Sequence, residues 1–244
     1  MRGLAQGLTP LVDLMWNLTL QSHVLHMDET PVMELGGPGR PLKGYLWTGV
    51  GDAAHPYDCF FYTSDRRSIG PEMKLAGFQG YLMSDADVAY ERIGTRWPGV
   101  INASCWVHAR RKIEAYHHLG PTIQTKTALA YFQQLFDIEA QYHTYSDAER
   151  LAARLELSAP IVESYHSWLE SEQKRQLPKS KLMDAINYQL NRWDSFQVFL
   201  KSGAVPMDNK AAERALKFPI LGRKACLFFG NPTAGEAERL RVAA

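Results

Sequence analysis

The stretch HVLHMDETPVMEL (residues 23–35) is followed by GYLWTGVGD (44–52) and then by YDCFFYTSD (57–65). All three are short and rich in β-branched and aromatic residues, which is the pattern of β-strands. The segment GGPGRP (36–41) between the first two is typical of a hairpin loop. The sequence therefore predicts three successive strands, paired antiparallel.

Two more strands are predicted downstream, each preceded by a helix. A short helix around residues 68–76 leads into the strand GYLMSD (80–85), and a helix from about Asp87 leads into the strand VINASCWVHA (100–109). The next residues, ARRKIEAYHHL, turn helical. Upstream, leucines at three- and four-residue intervals over residues 4–21 predict an amphipathic helix.

The remaining pattern is helical from Pro121 to about Leu200. A last helix is predicted to begin at Asp208, a good N-cap residue, and to run to about Lys217. Arg223 and Lys224 follow that helix, beside a strand-like apolar segment. We therefore divide the chain into a linker helix (1–22), the first part of a core (23–120), an all-helical insertion (121–206), and the final helix with the C-terminal segment (207–244).

This order of elements resembles the ribonuclease-H-like fold. Three strands as a meander come first, and two more strands alternate with helices. The predicted class is α/β, with a mixed five-stranded sheet, flanking helices and an all-helical insertion before the last helix. The inference is an analogy from element order.

Composition narrows the class of protein. The chain has 244 residues, of which 45% are hydrophobic and 22% charged, as in ordinary globular proteins. Because 27 basic residues face 26 acidic ones, the whole chain is not a polybasic nucleic-acid binder. Three cysteines do not form a disulfide framework, and there is neither an apolar run of membrane length nor a signal peptide pattern. We expect a soluble protein of the cytoplasm, associated with the nucleoid if it acts on DNA.

Three acidic residues lie where they could meet. Asp28 is on the first predicted strand, Asp85 ends the fourth, and Glu213 is on the last helix. The first and fourth strands are neighbours in a ribonuclease-H-like sheet, and a helix packed across that sheet would bring Glu213 to the same edge. Carboxylate oxygens suit Mg²⁺, with Mn²⁺ as a substitute, and two such ions serve phosphoryl transfer on DNA.

Each of these acids has a structural alternative. Asp28 could simply terminate a strand, and the neighbouring Glu29 is a rival ligand. Asp85 could be the N-cap of the next helix, although Asp87 could cap it equally well. Glu213 could pair with lysines at helical spacing. Spacing alone does not decide between these interpretations.

Two further patterns are candidates for function. Cys105 and His108 form a Cys-x-x-His pair, but zinc would need two more ligands and no second pair stands at zinc-site spacing, so a packing role is favoured. Basic side chains are candidate contacts to DNA phosphates, with solvated surface as the alternative: Arg110, Arg111 and Lys112 after the fifth strand, and Lys210, Arg214, Arg223 and Lys224 near the C-terminus.

Taken together, the motifs resemble the insertion sequence 66 family of bacterial transposases. They follow the family's order over roughly residues 4–235: HMDETPV, LWTGVGD, GYLMSDADVAY, CWVHARRKIEAY, LPKSKLMDAINYQLNRW and MDNKAAERALKFPILGRKACLFFG. The resemblance implies a DDE transposase that acts on DNA with Mg²⁺. It makes Asp28 and Asp85 the catalytic aspartates, Glu213 the catalytic glutamate, and Cys105 with His108 a structural or positioning pair.

The sequence also departs from the family's pattern. Asn209 is followed by Lys210 where the family usually has a second asparagine, and Asp87 stands where an aromatic residue is frequent. Family members are about twice as long, so we expect a chain truncated at both ends. The resemblance implies DNA as partner, a homo-oligomer assembled on DNA, and accessory proteins of the same element. The alternatives are a nuclease of the same fold without strand transfer, and a remnant that binds DNA or a partner without catalysis.

Overall fold

The structure is a computed structural model that describes residues 2–34, 42–67 and 69–225. The predicted hairpin loop and the apolar segment after Ala225 lie outside these residues. The chain divides into two compact units, one formed by Met1–Asn102 with Asn209–Ala244 and the other by Ala103–Asp208. Among the described residues, no helix has the length and hydropathy needed to cross a membrane.

The strands form one mixed five-stranded sheet in the order β3-β2-β1-β4-β5. Pairing is antiparallel between β1 and β2 and between β2 and β3, and parallel between β1 and β4. This arrangement confirms the predicted α/β, ribonuclease-H-like fold class. The strands are β1 (Val24–Glu34), β2 (Leu42–Val50), β3 (Asp58–Thr63), β4 (Gly80–Ser84) and β5 (Val100–Ser104).

One face of the sheet is covered by helices from the first half of the chain, namely α1 (Arg2–Thr19), α2 (Ile69–Lys74) and α3 (Val88–Arg96). Leu25 and Met27 of β1 point into this core, where they meet Trp16 of α1 and Ile93 of α3. The Trp16 indole lies on Gly49, where a Cβ atom would stand 2.5 Å from the ring. The predicted linker helix is therefore packed as part of the core.

The other face is covered by the last helix, α10 (Lys210–Ala225). Its Ala215 and Leu216 pack on Val32 of β1 and on buried residues of β2 and β3. Successive residues of a strand point to opposite faces, so Asp28 shares the face of Val32 while Glu29 shares that of Met27. This alternation decides which acid of the DET motif faces α10.

The last helix differs from the sequence prediction at both ends. It begins at Lys210 rather than at Asp208, and it continues through Pro219 to Ala225 instead of ending near Lys217. A proline usually kinks or ends a helix because it removes a backbone donor. Here the Pro219 side chain is buried, and packing holds the helix together across it. Arg223 and Lys224 consequently lie within α10 and do not follow it.

The fifth strand is also shorter than predicted. It ends at Ser104, and Cys105 becomes the N-cap residue of α4 (Trp106–His117). The β-forming residues Trp106 and Val107 are helical because the Trp106 ring is held in an aromatic cluster of the second unit, formed by Phe132, Tyr165, Trp193, Phe196 and Phe199.

The second unit is otherwise helical, as predicted. It contains α5 (Ile123–Tyr142), α6 (Asp147–Ala153), a π-helical turn (Arg154–Ser158), α7 (Ala159–Arg175), α8 (Lys181–Leu190), α9 (Trp193–Phe196) and a 3₁₀ turn (Gln197–Leu200). The Arg154 guanidinium is buried in this unit and bonds to both carboxylate oxygens of Glu139, each at 2.7 Å. It also donates to the carbonyls of Phe199, Ser202 and Val205, which fixes the segment before α10.

Candidate active site

Asp28 and Asp85 occupy equivalent places on neighbouring parallel strands. The last paired residues of β1 and β4 are His26 and Met83. Two residues further along each chain stand Asp28, still within β1, and Asp85, immediately after β4. The register of the parallel pair therefore carries both aspartates to the same edge of the sheet.

The electrostatics of Asp28 bring in the third acid. The pKa of Asp28 is raised from 3.8 to about 7, chiefly by burial and also by the charges of Glu29, Asp85 and Glu213. One bond opposes them, since the Glu29 backbone N–H donates to Asp28 Oδ1 at 2.9 Å. Glu213 stands on α10, on the face of the sheet that Asp28 shares with Val32. Glu29, Asp85 and Glu213 are thus all near enough to influence the half-buried carboxyl group of Asp28.

The turn after β4 separates the roles of Asp85 and Asp87. Asp87 is the N-cap residue of α3, and its side chain accepts from the Ala89 N–H at 3.0 Å. Asp85 Oδ1 accepts from the Asp87 N–H at 3.0 Å. Between them Ala86 has φ 62°, a left-handed conformation that is costly for a residue other than glycine. The capping alternative therefore belongs to Asp87, while Asp85 is held at a strained turn.

Glu29 is committed to a different network on the opposite face. Its side chain is only 4% exposed and is paired with Arg66, whose guanidinium also lies 3.2 Å from Asp87. The Tyr90 hydroxyl donates to Glu29 Oε2 at 2.8 Å. Both carboxylate oxygens of Glu29 are engaged within the protein. Glu29, the rival ligand in the DET motif, is thus already bonded to Arg66 and Tyr90 within the protein.

Two polar residues beside the acids escaped the sequence analysis as functional candidates. Asn209, directly before α10, is fully buried. Its amide nitrogen donates to the Met27 carbonyl at 2.8 Å, and its amide oxygen lies 3.0 Å from His26 Nδ1. In the sequence, an asparagine before a helix is only a weak sign of a functional residue, because its hydrogen-bond partners are far away in the chain.

The oxygen donors fit a hard divalent cation in chemical type. Carboxylates are the side chains that bind Mg²⁺ and Mn²⁺, and a carboxyl group whose pKa is raised by other carboxylates gains from a nearby cation. Within residues 2–34, 42–67 and 69–225, no three His, Cys, Asp or Glu side chains are arranged to hold a metal ion as they stand. The carboxylates therefore fit a divalent cation by the type of their donor atoms and by their charge.

Comparison with known proteins identifies the family to which the chain belongs. The family model described as "Transposase IS66 family" matches residues 1–237. The chain belongs to this transposase family. The match spans the sheet, the helical unit and α10, so the sheet edge with Asp28 and Asp85 lies in the region that the IS66 family shares.

Three curated relatives come from Sinorhizobium fredii. Uncharacterized protein y4hP is 33% identical over 92% of this chain and 44% of its own length. Uncharacterized proteins y4qI and y4jD are each 28% identical, over 92% and 95% of this chain. The chain spans less than half the length of these relatives, between 44% and 48%. No solved structure matches.

The Cys-x-x-His pair of this IS66 family member lies in the helical unit. Cys105 is buried at the start of α4, and His108 is half-buried one turn later. Between them Trp106 donates its indole N–H to the Phe196 carbonyl at 2.9 Å, while its backbone N–H donates to the Met207 carbonyl at 2.9 Å. Trp106, between the two residues of this pair, belongs to the core of the helical unit, and the packing role of the pair itself stays a prediction.

The candidate DNA-contacting residues differ in their surroundings. Arg110 Nε lies 2.9 Å from Glu114, and Lys112 Nζ lies 4.4 Å from the centre of the Tyr188 ring. Arg111 is exposed on the same helix, and Lys210 and Arg214 are exposed on α10. Arg223 and Lys224 are helical, but their side chains lie outside what the structure describes. Lys210 and Arg214, on the same helix as Glu213, are the basic residues nearest in sequence to the proposed site.

Proposed function

We propose that this chain contains the catalytic core of a DDE transposase, in which Asp28, Asp85 and Glu213 hold divalent cations, Mg²⁺ in the cell and Mn²⁺ as a substitute. The observation that supports it most is the raised pKa of Asp28, to which Asp85 and Glu213 both contribute. Two acids from distant parts of the sequence therefore influence one half-buried carboxyl group at a sheet edge. Membership of the IS66 family supports transposition as the reaction class.

The protein's own part in the reaction is to hold three carboxylates close together, where a bound cation would neutralise their charge. Carboxylates that repel one another splay apart, and a counter-charge lets them converge. Asp28 is the most restrained of the three, since it lies within a paired strand. Bound Mg²⁺ would supply an activated oxygen nucleophile and would stabilise the leaving oxygen. In the proposed reaction, hydrolysis at the element's ends frees 3′-hydroxyls, and each of them attacks a target phosphodiester, so that a new phosphodiester forms while the bond to the target's 3′-oxygen breaks.

DNA is the proposed partner, and its backbone would be held by the exposed basic residues. Lys210 and Arg214 stand on the helix that carries Glu213, and Arg111 stands on α4. Contacts of this kind are independent of sequence and weaken as salt rises. Assembly as a homo-oligomer on DNA, accessory proteins of the same element and a nucleoid-associated location in the cytoplasm belong to the same proposal.

Nicking of a supercoiled plasmid with Mg²⁺ or Mn²⁺ tests the hypothesis that the chain is a metal-dependent enzyme. We expect metal-dependent nicking by the parent chain, none in excess chelator, and none by Asp28→Asn. The matched control is Asp13→Asn, which removes an exposed carboxylate of α1. A parent chain that binds DNA but never nicks it, with either metal, would support the non-catalytic remnant instead.

Strand transfer separates the transposase from a nuclease of the same fold. Labelled DNA with precut element ends and exposed 3′-hydroxyls is incubated with a target plasmid and Mn²⁺. Joined products support the transposase. Nicking without joined products would favour the nuclease. Because this chain spans less than half of its relatives, the assay is repeated with a full-length family member as positive control.

A further inference from the structure

The start of α10 is tied to the middle of β1 by a single side chain. Asn209 is fully buried and immediately precedes the first helical residue, Lys210. Its amide nitrogen donates to the Met27 carbonyl at 2.8 Å, across 182 positions of sequence. Met27 is the residue before Asp28, so the bond ends one residue from a proposed metal ligand.

The second bond of this side chain fixes its orientation. Since the Asn209 nitrogen donates to a carbonyl, its oxygen is left as the acceptor for His26, 3.0 Å from Nδ1. The Nδ1 atom of His26 must therefore carry the proton that is shared with Asn209. Both polar ends of the amide are directed at β1, one to a side chain and one to the backbone.

The same residue also reaches the third acid. The Asn209 carbonyl accepts the Glu213 N–H at 3.1 Å, the first hydrogen bond of the helix. Two hydrogen bonds therefore connect the backbone of Met27 to the backbone of Glu213 through one buried residue. An ordinary N-cap residue would direct its side chain at its own helix.

We infer that Asn209 is a positioning residue, which locks the first turn of α10 onto β1 and so sets Glu213 beside Asp28. The inference rests on the proposed function for its catalytic meaning, but its geometric part stands apart from activity. His26 is its partner, because it holds the amide in the orientation that lets the nitrogen reach Met27. Groups that orient metal ligands in this way typically change metal affinity or activity by about 10- to 100-fold when they are replaced.

The variants are chosen to separate clamping from capping. Asn209→Ser keeps a good N-cap residue but is too short to bond both Met27 and His26. His26→Phe removes the ring donor, whereas His26→Asn places an amide nitrogen near the position of Nδ1 and should restore the bond. The matched control is Asn102→Ser, which removes a similar 2.9 Å bond to the Tyr90 carbonyl, away from α10.

The first arm measures geometry without activity. Hydrogen exchange of the Glu213 amide and of the amides in the following turn of α10 should become about tenfold faster in Asn209→Ser and His26→Phe, as expected for the loss of one buried hydrogen bond. It should stay near the parent value in His26→Asn and Asn102→Ser. In a double-mutant cycle, Asn209→Ser with His26→Phe should cost less stability than the two single changes added together.

The second arm measures catalysis on the full chain. Asn209→Ser and His26→Phe should lower kcat for nicking and raise the Mn²⁺ concentration for half-maximal rate by about 10- to 100-fold, with KM for DNA little changed. His26→Asn should recover most of the rate. A merely structural role would lower the amount of folded protein without moving the metal requirement.

The outcomes separate the two hypotheses. A parent chain that neither binds Mn²⁺ nor nicks DNA ends the proposed function, and the exchange arm then decides the clamp alone. Unchanged exchange in Asn209→Ser overturns the clamp. Faster exchange with an unchanged Mn²⁺ requirement in an active enzyme also overturns the positioning role, because Glu213 would then find its place without Asn209.

Discussion

The Tyr90 hydroxyl donates a hydrogen bond of 2.8 Å to Glu29 Oε2, on the face of the sheet opposite to α10. Arg66 Nε donates to the other oxygen of the same carboxylate, Oε1, at 2.7 Å. Asp28, one residue earlier, faces α10, and the charges around it are negative. The pKa of both carboxyl groups is raised by burial and by neighbouring acids, but only Glu29 is also bonded to Arg66 and Tyr90 in a way that lowers its pKa, so their replacement should have different consequences.

Asp28→Asn should abolish metal-dependent nicking, whereas Glu29→Gln should mainly cost stability. A metal ligand contributes several kcal/mol to the transition state, so we expect a rate loss of about 1000-fold or more for Asp28→Asn. Glu29→Gln leaves Arg66 with a neutral partner and should lower the free energy of unfolding by about 1–3 kcal/mol. Nicking rates at saturating Mg²⁺, together with urea denaturation of each variant, measure both effects. The reverse pattern would make Glu29 the ligand.

The pH dependence of stability should report Asp28 in metal-free buffer. Its pKa is raised from 3.8 to about 7, so folding favours the protonated form. That contribution is complete below about pH 4, declines as the unfolded chain ionises, and is lost above about pH 7. Asp28→Asn removes the penalty, so its melting temperature should exceed that of the parent by more at pH 8 than at pH 5. Equal differences at both values would contradict the raised pKa.

Mn²⁺ should stabilise the parent chain and reverse this difference. A ligand that binds only the folded state at 100 times its dissociation constant adds about 2.7 kcal/mol. Thermal melts with increasing Mn²⁺ should therefore show a rising midpoint for the parent and for Asp13→Asn. Asp28→Asn, Asp85→Asn and Glu213→Gln should show a much smaller rise. If the parent does not shift, its folded state does not bind the metal.

The helical unit should depend strongly on the buried Arg154. Replacing it by Met leaves Glu139 without its bidentate partner and three carbonyls without a donor. Loss of one partner of a buried ion pair typically costs about 3–5 kcal/mol. Arg150→Met is the comparison, because the Arg150 side chain also donates to several backbone carbonyls but is 19% exposed, against 1% for Arg154, so water can replace its bonds. Chemical denaturation followed by tryptophan fluorescence compares them, and equal losses would contradict the special place of Arg154.

Much of the sheet could be predicted because its signals are local. Strand-forming runs separated by turn residues fix β1 to β4, and the resemblance in element order suggests that β1 and β4 are neighbours. The pairing of His26 with Met83 then carries Asp28 and Asp85 to one edge. That the three acids bind metal remains a prediction, supported by the charges acting on Asp28.

Features that depend on distant partners could not be predicted. The bond from Asn209 to Met27 spans 182 positions, so no local pattern reveals it. Trp106 looks like a strand residue until its aromatic neighbours in the helical unit are known. Pro219 suggests a helix end, but its burial keeps α10 continuous.

The helix that covers one face of the sheet, α10, follows the whole helical unit in the sequence, and this order matters for shortened products of such a gene. A product that stops within residues 105–208 would contain the five strands and both aspartates but not α10. It would lose Glu213 and would also leave Val32, Leu46 and Phe60 uncovered. The cover of one apolar sheet face and the third proposed ligand therefore both depend on α10, so losing this helix would remove both at once.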